Sequence, residues 1–151
     1  MLTGGSNGGA MLGLIVVTHG RLAEELVHAA TTILGKVEGL AAVSIGWDDD
    51  VADARDRIEK AVGRIGSEGG VVILTDMFGG TPTNMALALL EQGRVEVVTG
   101  VNLPMLIKFA NLTGEMKLSD VSRRIAEQGR DAIHVASDLL EGSARENGGG
   151  R

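Results

Sequence analysis

Chemistry in this sequence is concentrated in three short stretches: Thr18-His19-Gly20, Asp76-Met77-Phe78-Gly79-Gly80-Thr81-Pro82 and Gly100-Val101-Asn102-Leu103-Pro104. Neutral imidazole presents one unprotonated nitrogen near neutral pH, so His19 can serve as a nucleophile. A carboxylate such as Asp76 can accept the hydrogen of the other ring nitrogen, which fixes the tautomer and stabilises positive charge on the ring. Gly79 and Gly80 let backbone N–H groups approach an anion closely, and a helix opening near Pro82 adds the positive end of its dipole. The Thr81 hydroxyl can donate to the same anion. A nucleophile, a group that orients it and donors for anionic oxygens are what phosphoryl transfer requires. His19 and Asp76 are the candidate catalytic pair; Gly79, Gly80 and Thr81 are the candidate phosphate-binding residues.

Each of these residues has a plain structural role as well. Thr81-Pro82 makes a good N-cap and first-turn pair, and Asp76 can close a turn. Gly20 can ease a tight exit from a strand. What favours chemistry is a shared location, so the elements that would bring the stretches together matter most. Short apolar runs at 12–17 (LGLIVV), Leu40–Ile45, Val71–Thr75 and Val95–Thr99 have the length and β-branched content of strands buried on both faces. Leu22, Leu26, Ala30 and Ile33 recur at helical spacing, with Gly35 as a stop. Val51, Ala54, Ile58, Ala61 and Ile65 repeat the pattern, and further helices are expected at 85–90, Leu103–Asn111 and 118–128. Segment 131–137 (DAIHVAS) alternates weakly and predicts a fifth, edge strand. Strand–helix alternation predicts an α/β fold with a doubly wound, mainly parallel sheet. Ligands of such sheets gather beyond the C-terminal ends of the strands. All three stretches directly follow predicted strands.

Composition narrows the alternatives. At 151 residues the chain fits one domain with a proper core, expected at 11–140 between flexible segments at 1–10 and 141–151. A net charge of −6 argues against a nucleic-acid partner. Cysteine is absent and the three histidines are scattered, which argues against a metal site. His28 falls inside a helix and His134 in the predicted edge strand, and both read as structural or exposed. Asp48-Asp49-Asp50 reads as a solvated loop. Aromatic residues number only Trp47, Phe78 and Phe109, too few for a site that stacks a flavin or a base. Neither G-x-G-x-x-G nor G-x-x-x-x-G-K-[ST] occurs, so dinucleotide and P-loop readings lose their support and no cofactor is expected. No apolar run approaches the length of about 18 residues that a membrane helix needs, and segment 1–10 lacks the features of a secretory signal. A cytoplasmic, non-membrane protein is the expectation.

LIVVTHG at 14–20, LTDMFGGTPTN at 74–84 and GVNLPM at 100–105, in that order and spacing, resemble the mannose-family IIA domains of the bacterial phosphoenolpyruvate:sugar phosphotransferase system. The similarity runs from about residue 11 to 140. It implies a flavodoxin-like sheet and a phosphohistidine carrier that receives phosphate from phospho-HPr and hands it to a IIB partner. The family's histidine aligns with His19, its supporting aspartate with Asp76 and its phosphate-contacting hydroxyl with Thr81. The resemblance also implies a homodimer in which a C-terminal strand crosses to the partner, with 131–137 as the candidate strand. The IIB partner is expected to be a separate protein. A regulatory phosphocarrier, or the subunit that feeds dihydroxyacetone kinase, would use the same residues. A phospho-aspartate receiver would place its acceptor at Asp76, yet it needs acidic magnesium ligands where Thr18-His19-Gly20 stands.

Overall fold

The computed structural model describes residues 11–65, 68–112 and 116–148. The elements follow in the order β1 (Gly13–His19), α1 (Leu22–Leu34), β2 (Leu40–Ile45), α2 (Val51–Ile65), β3 (Val71–Thr75), α3 (Thr81–Leu87), β4 (Val95–Thr99), α4 (Leu103–Asn111), α5 (Leu118–Asp131) and α6 (Ala136–Gly148). All sheet pairs are parallel and the strand order is β2-β1-β3-β4. This is the order of flavodoxin-type sheets, in which the order of strand addition reverses between β1 and β3.

Successive side chains of a strand point to opposite faces, and here both faces are covered. Ile15, Val17, Val43, Ile45 and Ile73 pack with Ala54, Ile58 and Ala61 of α2 and Met85 and Ala86 of α3. Leu14, Val16, Val72 and Leu74 pack with Ala23 and Ala30 of α1, Met105 and Leu106 of α4, and Leu118, Val121 and Ile125 of α5. Each fully buried branched side chain contributes about 1.5–3 kcal/mol relative to exposure, so the central strands form a stiff base for whatever their ends carry.

The strands β2, β3 and β4 have the expected bounds. Strand β1 extends beyond its apolar run, because Thr18 and His19 stay in register with Ser44 and Ile45. Helix α3 begins at Thr81, but its N-cap is Gly80, in extended conformation at φ −91° and ψ 172°. Thr81 is therefore the first helical residue and not the cap.

Segment 131–137 is not a strand. Asp131 completes α5, and the N–H groups of Ala132 and Ile133 bond back to the carbonyls of Gln128 and Arg130 at 3.0 and 3.3 Å. Helix α6 then starts at Ala136. The stretch is held by these local bonds at the end of α5 and joins neither open edge of the four-stranded sheet. The tail expected from residue 141 is helical as far as Gly148. The expected extension at 1–10 and the residues 149–151 lie outside the described residues.

Candidate functional site

His19 closes β1 and Asp76 follows β3 directly, at the point where strand order reverses in the sheet. Register brings them together: Val17 pairs with Thr75, which leaves His19 and Asp76 just beyond the last pair of adjacent strands. Asp76 Oδ2 lies 2.7 Å from His19 Nδ1 and also accepts the His19 backbone N–H at 3.0 Å. The other oxygen, Oδ1, accepts the Met77 N–H at 3.0 Å. Burial pushes the Asp76 carboxyl up, but the hydrogen bonds and charge of His19 outweigh it and hold the group below the usual carboxylate range. An ionised Asp76 accepts only, so Nδ1 carries the hydrogen in that contact and Nε2 is left with the free lone pair. The side chains are 23% and 15% exposed, enough for a reactant to reach the ring.

The loop after Asp76 is pinned by hydroxyls. Thr75 and Thr83 are fully buried, and their Oγ1 atoms lie 2.6 Å apart. Thr83 donates to the Met77 carbonyl and accepts from Thr75, an assignment that satisfies both hydroxyls. This ties the start of α3 to the end of β3 across the glycine turn. Gly79 has φ +91°, a conformation that side chains disfavour, and a Cβ there would meet open space. Gly80 is different. Its backbone angles suit any residue, but a Cβ would lie 2.7 Å from His19 Cε1 and 3.1 Å from Nε2. The glycine is there because the imidazole edge passes against its backbone. Thr81 is exposed, and its hydroxyl has no hydrogen-bond partner among the described residues.

A fully buried threonine organises the other side. Thr18 Oγ1 accepts the Ala23 N–H at 2.7 Å, anchoring the first turn of α1 just past His19. Above the ring lies an indole. Trp47 stacks on His19 with centroids 5.3 Å apart and planes at 23°.

The structure thus gathers His19, Asp76 and Gly80, with Gly79 and Thr81 adjoining in the same turn. Asn102, in the stretch after β4, has another task. Its oxygen accepts the Met105 N–H at 3.3 Å to cap α4, and its nitrogen donates to the Gly129 carbonyl of α5 at 3.0 Å. His28, in α1, and His134, between α5 and α6, are exposed. Asp49 closes its own turn and pairs with Arg57 at 2.8 Å. No cluster suited to a metal ion occurs among the described residues. Sequence reasoning missed Trp47, Thr75 and Thr83. The one available signal was that Trp47 follows β2, whose end borders His19.

A family model described as the PTS system fructose IIA component matches residues 13–126, from β1 through most of α5. The chain belongs to this mannose-type EIIA family. Among curated relatives of this EIIA chain is the fructose-specific EIIA component of Bacillus subtilis, 29% identical over 132 residues, or 87% of this chain and 90% of that one. The mannose-specific EIIAB component of Escherichia coli is 34% identical over 103 residues, which span 64% of this chain but 30% of that longer protein. Of solved structures, the mannose/sorbose-specific IIA subunit from Enterococcus faecalis superposes with a TM-score of 0.74 at 27% identity, covering 82% of this chain and 92% of that one. The EIIA component from Streptococcus agalactiae, at 23% identity and TM-score 0.76, shares the fold over 85% of this chain and 99% of its own. EIIA components of the phosphotransferase system are phosphoryl carriers of the transferase kind, which is the chemistry this strand-end site suits. No helix among the described residues is long and apolar enough to cross a membrane.

Proposed function

We propose that this EIIA chain is a cytoplasmic carrier that takes a phosphoryl group from phospho-HPr on His19 and passes it to a IIB protein for sugar uptake or regulation. The observation that carries the reading is the 2.7 Å contact between His19 Nδ1 and Asp76 Oδ2. It turns Nε2 into the free nucleophile. The Nε2 lone pair attacks phosphorus, the donor's bond to phosphorus breaks, and that electron pair leaves with the donor. The Nδ1 hydrogen stays in place, so the phosphorylated ring carries positive charge that Asp76 balances. Gly79, Gly80 and Thr81 take the phosphoryl oxygens: the glycines through backbone N–H groups, Thr81 through its unpartnered hydroxyl. Transfer to IIB is the same displacement in reverse.

Incubation with phosphoenolpyruvate, enzyme I and HPr should produce one label per chain that survives alkali and is lost in acid. His19→Ala should abolish it, while His28→Ala and His134→Ala should keep it. Stoichiometric label on His19→Ala would defeat the reading. An alkali-labile label on Asp76 would favour an acyl phosphate instead.

A homodimer belongs to the same proposal. Strand β4 is an open edge of the sheet, and Ile133, Val135, Leu139 and Leu140, which follow α5, are 75, 64, 52 and 72% exposed. A second copy would cover apolar surface of this kind, and unprotected edges favour pairing. Light scattering at high micromolar concentration should give twice the chain mass. A monomer under those conditions refutes the assembly.

A further inference from the structure

Trp47 is the chain's sole tryptophan and is 81% exposed. An indole left so far in water adds little to the core, so packing does not explain its place. Its position is nevertheless well determined. His19 pairs with Ile45, and the Gly20 N–H bonds to the Ile45 carbonyl at 2.8 Å, which brings the exit of β2 alongside the ring. The turn that follows is closed twice, by Gly46 N–H to Asp49 Oδ2 at 2.7 Å and Asp49 N–H to the Gly46 carbonyl at 3.2 Å. Arg57 of α2 holds the same Asp49 oxygen at 2.8 Å. The result is a rigid turn whose apolar product is one ring laid on His19, 5.3 Å between centroids.

We propose that Trp47 is a positioning residue for phosphoryl transfer, holding the imidazole face-on beneath the indole so that only its Nε2 edge is presented. This rests on the proposed acceptor role of His19. With Nδ1 tied to Asp76 and one face covered, the ring cannot tilt out of the line of attack. As Nε2 takes phosphorus, positive charge grows on the imidazole under the electron-rich indole face, which stabilises it. At an exposed site that attraction corresponds to about two- to fivefold in rate. The indole also shields one face of the phosphorylated ring from water.

The test uses the full chain. Because the tryptophan is unique, intrinsic emission reports the surroundings of the indole directly, and removing a ring stacked on it changes them. His19→Ala should alter the emission, whereas His28→Ala should not. Trp47→Leu keeps apolar bulk without the π face. It should slow transfer at saturating phospho-HPr about two- to fivefold and shorten the lifetime of the label, with the half-saturating donor concentration unchanged. Trp47→Phe should restore most of the rate. Unaltered emission in His19→Ala would overturn the stack. A higher half-saturating concentration with an unchanged saturated rate would overturn positioning, because Trp47 would then be a docking contact. No label on the parent chain would instead sink the carrier reading, and the emission comparison, which needs no phosphate, tells the two failures apart.

Discussion

Replacing Gly80 by alanine isolates one contact of the site. The backbone there, at φ −91° and ψ 172°, is extended and accepts alanine without strain. The conflict is with the histidine. An added Cβ would sit 2.7 Å from His19 Cε1, whereas carbon atoms rest at about 3.5–4.0 Å. The imidazole or the loop must therefore give way by about 1 Å. The loop is tied down by the Thr75–Thr83–Met77 hydroxyl chain, so the ring is what yields, and it can do so only by stretching its 2.7 Å bond to Asp76. A misplacement of about 1 Å in a reacting group can lower the rate by about 10²-fold. That corresponds to about 2.7 kcal/mol of barrier. The folded state should lose only about 1 kcal/mol, from a poorer N-cap on α3. Gly79→Ala supplies the contrast. Its Cβ meets nothing, but φ +91° suits no alanine, so it should cost about 1–3 kcal/mol of stability. Rapid-quench transfer from phospho-HPr and urea unfolding would be measured on both variants. Parent-rate transfer by Gly80→Ala would refute the reasoning, since the ring would then have no need of that space.

Asp76→Asn keeps the shape but removes the charge and can stabilise the wrong tautomer. By analogy with the orienting aspartate of a catalytic triad, transfer should fall by about 10²–10⁴-fold with the fold preserved; a parent-like rate in rapid-quench assays would remove Asp76 from the mechanism. The same variant should flatten the acid limb of stability. A carboxyl held below its ordinary value stabilises the fold fully above about pH 3.9, the unfolded value, and loses that contribution as pH falls through its lower folded value. The parent should thus exceed Asp76→Asn in urea unfolding at neutral pH and lose the advantage in acid, once the folded Asp76 carboxyl is protonated. A gap of equal size at both pH values would show that charge on Asp76 is irrelevant to the fold.

How much of this was legible depends on which forces act locally. Strands β2, β3 and β4 could be read to the residue, because their apolar runs are short, β-branched and bounded by polar loops. The end of β1 could not: Thr18 and His19 are in the strand through backbone pairing with β2, which apolarity does not record. That His19 and Asp76 would lie at one sheet edge follows from fold class alone, because both end strands. Their direct contact needs the strand order, with β1 beside β3. Segment 131–137 deceived because alternation describes one strand's faces and says nothing about a neighbour to pair with. Thr75 and Thr83 look like ordinary strand and helix residues until the turn folds them together. Trp47 was visible only as a scarce aromatic. Its place over the ring depends on the register between β1 and β2 and on the Asp49 turn, neither of which a linear pattern contains.

The double hold of Asp76 on His19 has a consequence for traffic through the site. One oxygen grips both the backbone N–H and Nδ1, so the carboxylate stays anchored to the main chain of His19 while it holds the ring, and the ring cannot swing round to offer its other nitrogen without breaking its bond to that fixed oxygen. On the proposed chemistry the product is a single regioisomer of phosphohistidine, with cargo arriving and departing along one axis. Donor and acceptor must then take turns at the same doorway. The chain would work as a turnstile, never seating both proteins together, and its kinetics would be ping-pong by construction.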